Sequence, residues 1–457
     1  MSLILVEFNE LSPHLMAKFI AAGKLPNFQR FHDESEVAIT EADDFEHLEP
    51  WVQWVAVHSG IPFREHGIEH LDDGHRLEQK SLWDLLSDAG KTVWVCGSMN
   101  INYETPLNGW VLPDPWSTNV DPYPEGALDI YYRFVSANVQ EHTRSKTPLS
   151  RSEQIEFLRF MAGHGLRPAT VAAIARQVAT ERFSGTRWRR AVLLDRLQFD
   201  LFRWYWRRER PDFSTFFLNS TAHYQHLYWR NMEPEHFKIK PEPGEQEVYE
   251  DAILFGYQQM DRIVGQLLGL AGSDTTLVLL TALSQQPSLS FEQIGGKTLY
   301  RPLDFDQFVR TIGIEGPVEV TPLMAEDFHL EFESEGTAQS AEARLRGVRV
   351  NGKPAMGAER TQNKIKSGCR IWEKVEPEAM LTVDGNGRSV PFFDLFYKID
   401  LMKSGEHHPD GMMWIRAPGR RHSLRAEKVP LVSVAPTILE MFDAAAPAYM
   451  AGEPVAA

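Results

Sequence analysis

The chain has 457 residues, 43% apolar and 24% charged, which leaves room for several ordinary domains or one large α/β domain with insertions. Acidic side chains outnumber basic ones by 63 − 47 = 16, which excludes nucleic acid as a default partner; a local basic pocket for an anionic small molecule stays open. Two cysteines, Cys96 and Cys369, are too few for a disulfide framework or a cysteine-built zinc site.

The N-terminus "MSLILVEFNELSP" lacks the basic and long apolar segments of a secretion signal and runs straight into a strand. No apolar stretch approaches the roughly 20 residues of a membrane span, so a cytoplasmic protein is expected. Strand candidates follow in order: "LILVEF" (3–8), "TVWVCG" (92–97), "STFFLN" (214–219), "TTLVLLT" (275–281) and "GMMWIRA" (411–417). Their near-continuous hydrophobicity is that of parallel strands covered on both faces. Helix candidates between them are 13–22, 80–90, 247–270 and 433–443. The third carries an apolar stripe from Ile253 to Leu268 and stops on glycine. This alternation predicts a doubly wound, mostly parallel α/β sheet flanked by helices.

Two stretches break the rhythm. Residues 120–212 read as a helical insertion or lid, and 302–402 as a small α+β lobe with a turn in "VDGNGRS". The core is then made of three parts: 1–119, 213–301 and 403–457. Within the insertion, "RWRRAVLLDRLQFDLFRWYWRRERPDF" (187–213) is the one basic run. Most such runs are solvated helix faces; the alternative is a lid whose arginines grip a phosphate or carboxylate.

In such sheets chemistry sits at the carboxyl ends of the strands. Those ends offer Asn9 and Glu10, then Asn219 and His223, then "TALSQQP". Glu49 precedes Pro50, which suits either a helix N-terminal carboxylate or a general acid or base. His58 and Ser59 read as structural.

Four segments taken together resemble the alkaline phosphatase superfamily, in its phosphodiesterase/nucleotide pyrophosphatase branch, across nearly the whole chain. "LVEFNELSPHLMAKFIAAGKLPNFQRF" is similar to the opening strand, metal-bearing turn and following helix. "EPWVQWVAVHSGIPFREHGIEH" is similar to the nucleophile segment, and "LNSTAHYQHLYW" to the Asp-x3-His ligand pair. "HHPDGMMWIRAPG" with "VPLVSVAPTILEMF" is similar to the closing His-x-x-Gly strand and helix. The resemblance implies two metal ions flanking a Thr or Ser nucleophile.

The chain departs from that pattern. Asn9 and Asn219 replace aspartates, Glu49-Pro50 stands where the nucleophile belongs, and Ala282-Leu283 replace an Asp-His pair. The resemblance then implies one surviving divalent metal, zinc by ligand type with iron or manganese as alternatives. Asn219, His223 and His408 would hold it, and Glu49 could swing onto it. For His223 a capping or hydrogen-bonding role is the competing reading. Glu49 and Glu10 are the catalytic candidates. Asn9, His226 and His407 are candidate substrate contacts; strand alternation turns His407 away from His408. The function so implied is a single-metal hydrolase or lyase acting on a phosphorylated or otherwise anionic small molecule without a covalent intermediate. The alternatives are a metal-independent ligand-binding descendant and a mononuclear iron enzyme. Nothing in the sequence reports on oligomeric state.

Overall fold

The computed structural model describes residues 1–455 apart from 140–148, 295, 317, 324–325, 385–388 and 400–402. The turn expected in "VDGNGRS" falls largely on 385–388, outside the described residues.

The expected apolar runs form the middle of a nine-stranded sheet. In chain order its main strands are β1 (Ser2–Phe8), β2 (Glu36–Glu41), β3 (Val93–Cys96), β4 (Gly109–Leu112), β5 (Phe213–Leu218) and β6 (Thr275–Thr281). A short strand outside this sheet follows, β7 (Ser284–Pro287), paired antiparallel with β8 (Gly405–His408); β9 (Asp410–Arg416) then returns to the sheet. The spatial order is β4-β3-β5-β1-β6-β9-β2. β1 lies between β5 and β6, parallel to both, and β9 is antiparallel to its neighbours β6 and β2. Neighbours wound outward in both directions from β1 are the doubly wound pattern, and they place the ends of β1, β5 and β6 side by side.

Both faces of the sheet are covered. On one face Ile4, Val6 and Phe8 pack with helices α2 (Ala191–Glu209), α3 (Ser220–Met232) and α4 (Ala252–Ala271). On the other, Leu3 and Leu5 pack with Trp54 of α1 (Pro50–Ser59), with Leu82–Asp88 and with Val434–Met441. The helix expected at 247–270 is two pieces, Pro243–Tyr249 and α4. The first piece buries no side chain, and the acidic pair Glu250–Asp251 precedes the apolar stripe that anchors the second.

Between β4 and β5 lie the helices Asp129–Val139, Arg151–Gly163, Pro168–Ser184 and α2. Between β7 and β8 a lobe carries two four-stranded antiparallel sheets and its own apolar core around Phe308, Phe328 and Leu345. No helix among the described residues is long and apolar enough to cross a membrane.

Candidate functional site

The polar residues that follow β1 are pinned in place. Glu10 adopts φ +60°, the left-handed region that a side chain enters at a cost, so the surrounding contacts must hold the turn. It is 3% exposed. Its Oε1 accepts from Asn9 Nδ2 at 2.8 Å, and its Oε2 from Gln285 Nε2. Asn9 Nδ2 also donates to Asn219 Oδ1 at 2.7 Å, and Asn9 Oδ1 accepts from Trp54 Nε1 at 2.8 Å. These bonds join the ends of β1, β5 and helix α1.

Two other elements close on Glu10. Helix α3 starts directly after Asn219 and carries His226 in its second turn. Strand β8 pairs with β7 so that His407 lies opposite Gln285. Gly405 lets β8 approach: a Cβ there would sit 2.4 Å from Gln225 O and 2.5 Å from Gln285 Oε1. The peptide nitrogen of Ser404 donates to His226 O at 2.7 Å, fixing the strand on the helix.

The side chains of Glu10, His226 and His407 therefore converge. Glu10 Oε2 lies 3.0 Å from His226 Nε2 and 3.5 Å from His407 Nε2, and the two rings meet edge to face at 5.1 Å. Among the described residues this is the one set of three or more His, Cys, Asp or Glu side chains whose ligand atoms all lie within 4.8 Å of one another. His226 Nδ1 faces Gly405 O at 3.1 Å. A carbonyl only accepts, so the ring proton sits on Nδ1 and the Nε2 lone pair of the neutral ring points at a carboxylate oxygen. Two acceptors face each other there, and a cation between them resolves the conflict.

The electrostatics point the same way. Burial pushes His226 down to about 4, with the ammonium of Lys403 adding to the drop and Glu10 opposing it. Burial alone would raise the Glu10 carboxyl; His226 and His407 outweigh it and hold Glu10 well below the usual carboxylate range. Lys403 is itself pushed down, by burial first and then by Lys297, against the pull of Glu10, Glu326 and Glu49. Positive charge is thus wanted at Glu10, and Lys403 supplies part of it from the lobe side. Lys297 pairs back-to-back with Lys403 in an isolated bridge and rests over the Trp372 ring at 4.2 Å.

Glu49 caps α1, half-buried, within electrostatic reach of Lys403. His223 is exposed on α3 beside Tyr224. His408 is half-buried, and its Nδ1 accepts from Asp410 N at 3.1 Å. Asn219 bonds to Asn9, and Ala282 and Leu283 are fully buried apolar residues. Glu49, His223 and His408 are not a convergent set of this kind among the described residues; Glu10, His226 and His407 are. The reason is local. Alternation along β8 separates His407 from His408 as expected, but the pairing with Gln285 turns His407 inward, and α3 aims its second histidine rather than its first. Lys403 and Gln285 were not singled out in the sequence. Gln285 sits in the polar run just after β6, which is a usable signal; Lys403 offers none.

A second polar cluster lies deeper in β1. Glu7, fully buried, accepts from Ser98 Oγ at 2.6 Å and faces His58 Nε2 at 2.8 Å.

No family model and no curated protein sequence matches the chain. Among solved structures it is similar to murine ectonucleotide pyrophosphatase/phosphodiesterase 5, at 8% identity and TM-score 0.44 over 98% of this chain and 96% of that one. It is similar to a phosphonoacetate hydrolase from Sinorhizobium meliloti, at 11% identity and TM-score 0.42 over 95% and 94%. It is also similar to a mutant of the alkaline phosphatase PafA, at 12% identity and TM-score 0.47 over 99% and 98%.

Proposed function

We propose that this chain is a divergent, cytoplasmic enzyme of the alkaline phosphatase type that holds one divalent metal ion between Glu10, His226 and His407 and hydrolyses a phosphorylated small molecule. The observation that carries the reading is the convergence of three ligand atoms with the His226 Nδ1 proton committed to Gly405 O. A ligand histidine whose other nitrogen donates to a backbone carbonyl is the usual second-neighbour arrangement at metal centres. A tetrahedral ion with arms of about 2.0–2.2 Å holds its ligand atoms about 3.3–3.5 Å apart. The separations of 3.0 and 3.5 Å are close to that. Two imidazoles and a carboxylate suit zinc with an open fourth position, and equally iron or manganese.

The two-metal arrangement of the superfamily does not fit. Ala282 and Leu283 offer no donor, and the amide oxygens of Asn9 and Asn219 already accept from Trp54 Nε1 and Asn9 Nδ2. A bound ion at Glu10 supplies charge neutralisation and water activation. The residues of the chain do the rest. Asn9 and Gln285 fix the Glu10 carboxylate, the Lys403 ammonium would draw an anionic group toward it, and Glu49, within electrostatic reach of Lys403, would serve as the base for a water proton. With a carboxylate rather than a hydroxyl at position 49, the reaction would run without the Ser or Thr phosphoester intermediate.

The test is metal stoichiometry. Protein dialysed against zinc should carry about one equivalent, kept in a His223→Ala/His408→Ala variant and lost in His226→Ala/His407→Ala. The reverse pattern sinks the assignment. A second reading rests on the 3.0 Å Glu10–His226 separation, which also suits a hydrogen-bonded imidazolium–carboxylate pair in a metal-free ligand-binding cleft. Protein that takes up no metal at all, in either form, favours it.

A further inference from the structure

The basic run has an unassigned feature. At the junction of α2, α4 and the residue preceding helix Pro168–Ser184, a pocket of about 80 Å³ is lined by Arg167, Arg196, Arg262, Gln259, Gln266 and Phe199. None of these belongs to the Glu10 centre. The three guanidiniums come from three different elements, so no single amphipathic pattern requires them to meet.

Their partners within the chain are few. Arg196 Nη2 and Arg262 Nη1 both donate to one neutral oxygen, Gln259 Oε1, at 2.8 and 3.2 Å. Arg167 donates through Nε to Asp200, which also accepts its backbone N–H at 3.0 Å, and through Nη1 to Gln266 Oε1. Its guanidinium lies 5.2 Å from the Phe199 ring centroid. Each guanidinium has five N–H donors, and among the described residues the acceptors just named take up only a few of them. Asp200 answers one cation of three. Asp195, the other acid near Arg196, accepts from Ser220 Oγ instead. Arg196 is pushed down by burial and then by Arg262 and Arg167, so the cluster repels itself as it stands. Converging forked donors with unmet positive charge in a small pocket match a compact tetrahedral oxyanion.

We infer that Arg167, Arg196 and Arg262 form a binding site for a phosphate-class oxyanion, separate from the Glu10 centre. The dianion supplies the acceptors that Gln259 and Asp200 lack and cancels the excess charge. Arg196, half-buried on α2, and the exposed Arg262 on α4 line the pocket and share the Gln259 Oε1 acceptor.

Inorganic phosphate is the probe, and thermal unfolding at constant ionic strength is the readout. With wild-type protein, phosphate should raise the midpoint in a saturating way that sodium chloride does not reproduce. Arg196→Gln/Arg262→Gln should lose that response and, freed of repulsion, unfold at an equal or higher temperature without phosphate. Arg262→Gln alone, at an exposed position that cannot disturb the core, should shift half-saturation at least about tenfold upward. His226→Ala/His407→Ala should keep the full response. The site is overturned if chloride matches phosphate, if the arginine variants respond as wild type does, or if the response disappears with the two histidines.

Discussion

Strand β1 and the turn after it carry two carboxylate–histidine clusters, at Glu7 and Glu10, that differ in what surrounds them. Glu7 and His58 are enclosed, with side chains 0% and 3% exposed, and the second carboxylate oxygen of Glu7 is taken by Ser98. Glu10 is equally buried, but its two histidines remain 20% and 19% exposed and a lysine lies nearby. The first cluster is closed within the protein and can only hold the sheet to α1. The second opens at the strand ends, has one acid for two imidazoles, and leaves room for a guest. Residue types alone do not separate structure from function here; access and the count of partners do.

The comparison is broken most decisively by metal binding. Removing His226 and His407 should abolish zinc uptake, whereas His58→Ala should leave it at about one equivalent, as read by elemental analysis. Uptake that depends on His58 would make the enclosed cluster the functional one. The converse holds for stability. Glu7→Leu strands a buried imidazole and a hydroxyl, and should cost about 3–5 kcal/mol in urea unfolding, with metal content unchanged. A cost near zero would mean that the enclosed pair does not support the fold.

The contrast also explains what the sequence could and could not reveal. The core strands were legible because parallel strands buried on both faces are near-continuous apolar runs, and "STFFLN" and "TTLVLLT" lie where expected. Glu7 hides inside such a run, and nothing local says that its partner is Ser98, ninety-one positions away. Asn9 and Glu10 were legible as strand-edge residues, whereas His226 and His407 entered only as candidate substrate contacts. Their roles were not legible, because the inward turn of His407 is fixed by the register of β8 on β7, which no periodicity encodes. Lys403, just before β8, acts on Glu10 electrostatically from a bridge to Lys297 that no local pattern announces. Helix 247–270 was read through its break because the apolar stripe masks the acidic step at Glu250–Asp251.

A second enclosed histidine sharpens the point. His329 in the lobe is 4% exposed, meets the His70 ring of the core at 5.1 Å, and has no acceptor or donor at Nε2. Burial pushes it down to about 3, with Lys364, His70 and Lys366 adding to the drop. Unlike His58 it has no carboxylate. Below about pH 6.5 the unfolded chain takes up a proton that the folded chain refuses, so the stability tied to this residue is complete above 6.5 and falls as pH drops toward 3. At pH 5 the loss is about 2 kcal/mol. Urea midpoints of wild type and His329→Gln should diverge by that much between pH 7 and 5, wild type falling further. Parallel curves would show that the ring is protonated in the folded protein.

The smallest effect falls on the residues that hold each carboxylate in place. Gln285 donates to Glu10 and to Ala222 O at 3.0 Å, tying the acid to α3 without touching either imidazole. Gln285→Leu should weaken metal affinity about tenfold, since a ligand carboxylate that loses its supporting bond gains rotamers, while costing little stability. Ser98→Ala is the matching change in the enclosed cluster. It removes one bond to Glu7 and should cost about 1 kcal/mol of stability with no change in metal affinity. A fluorescent zinc chelator titrated against both variants reads the first quantity, and urea unfolding the second. If the two substitutions moved the same observable, the division between a closed pair that builds the sheet and an open set that binds would fail.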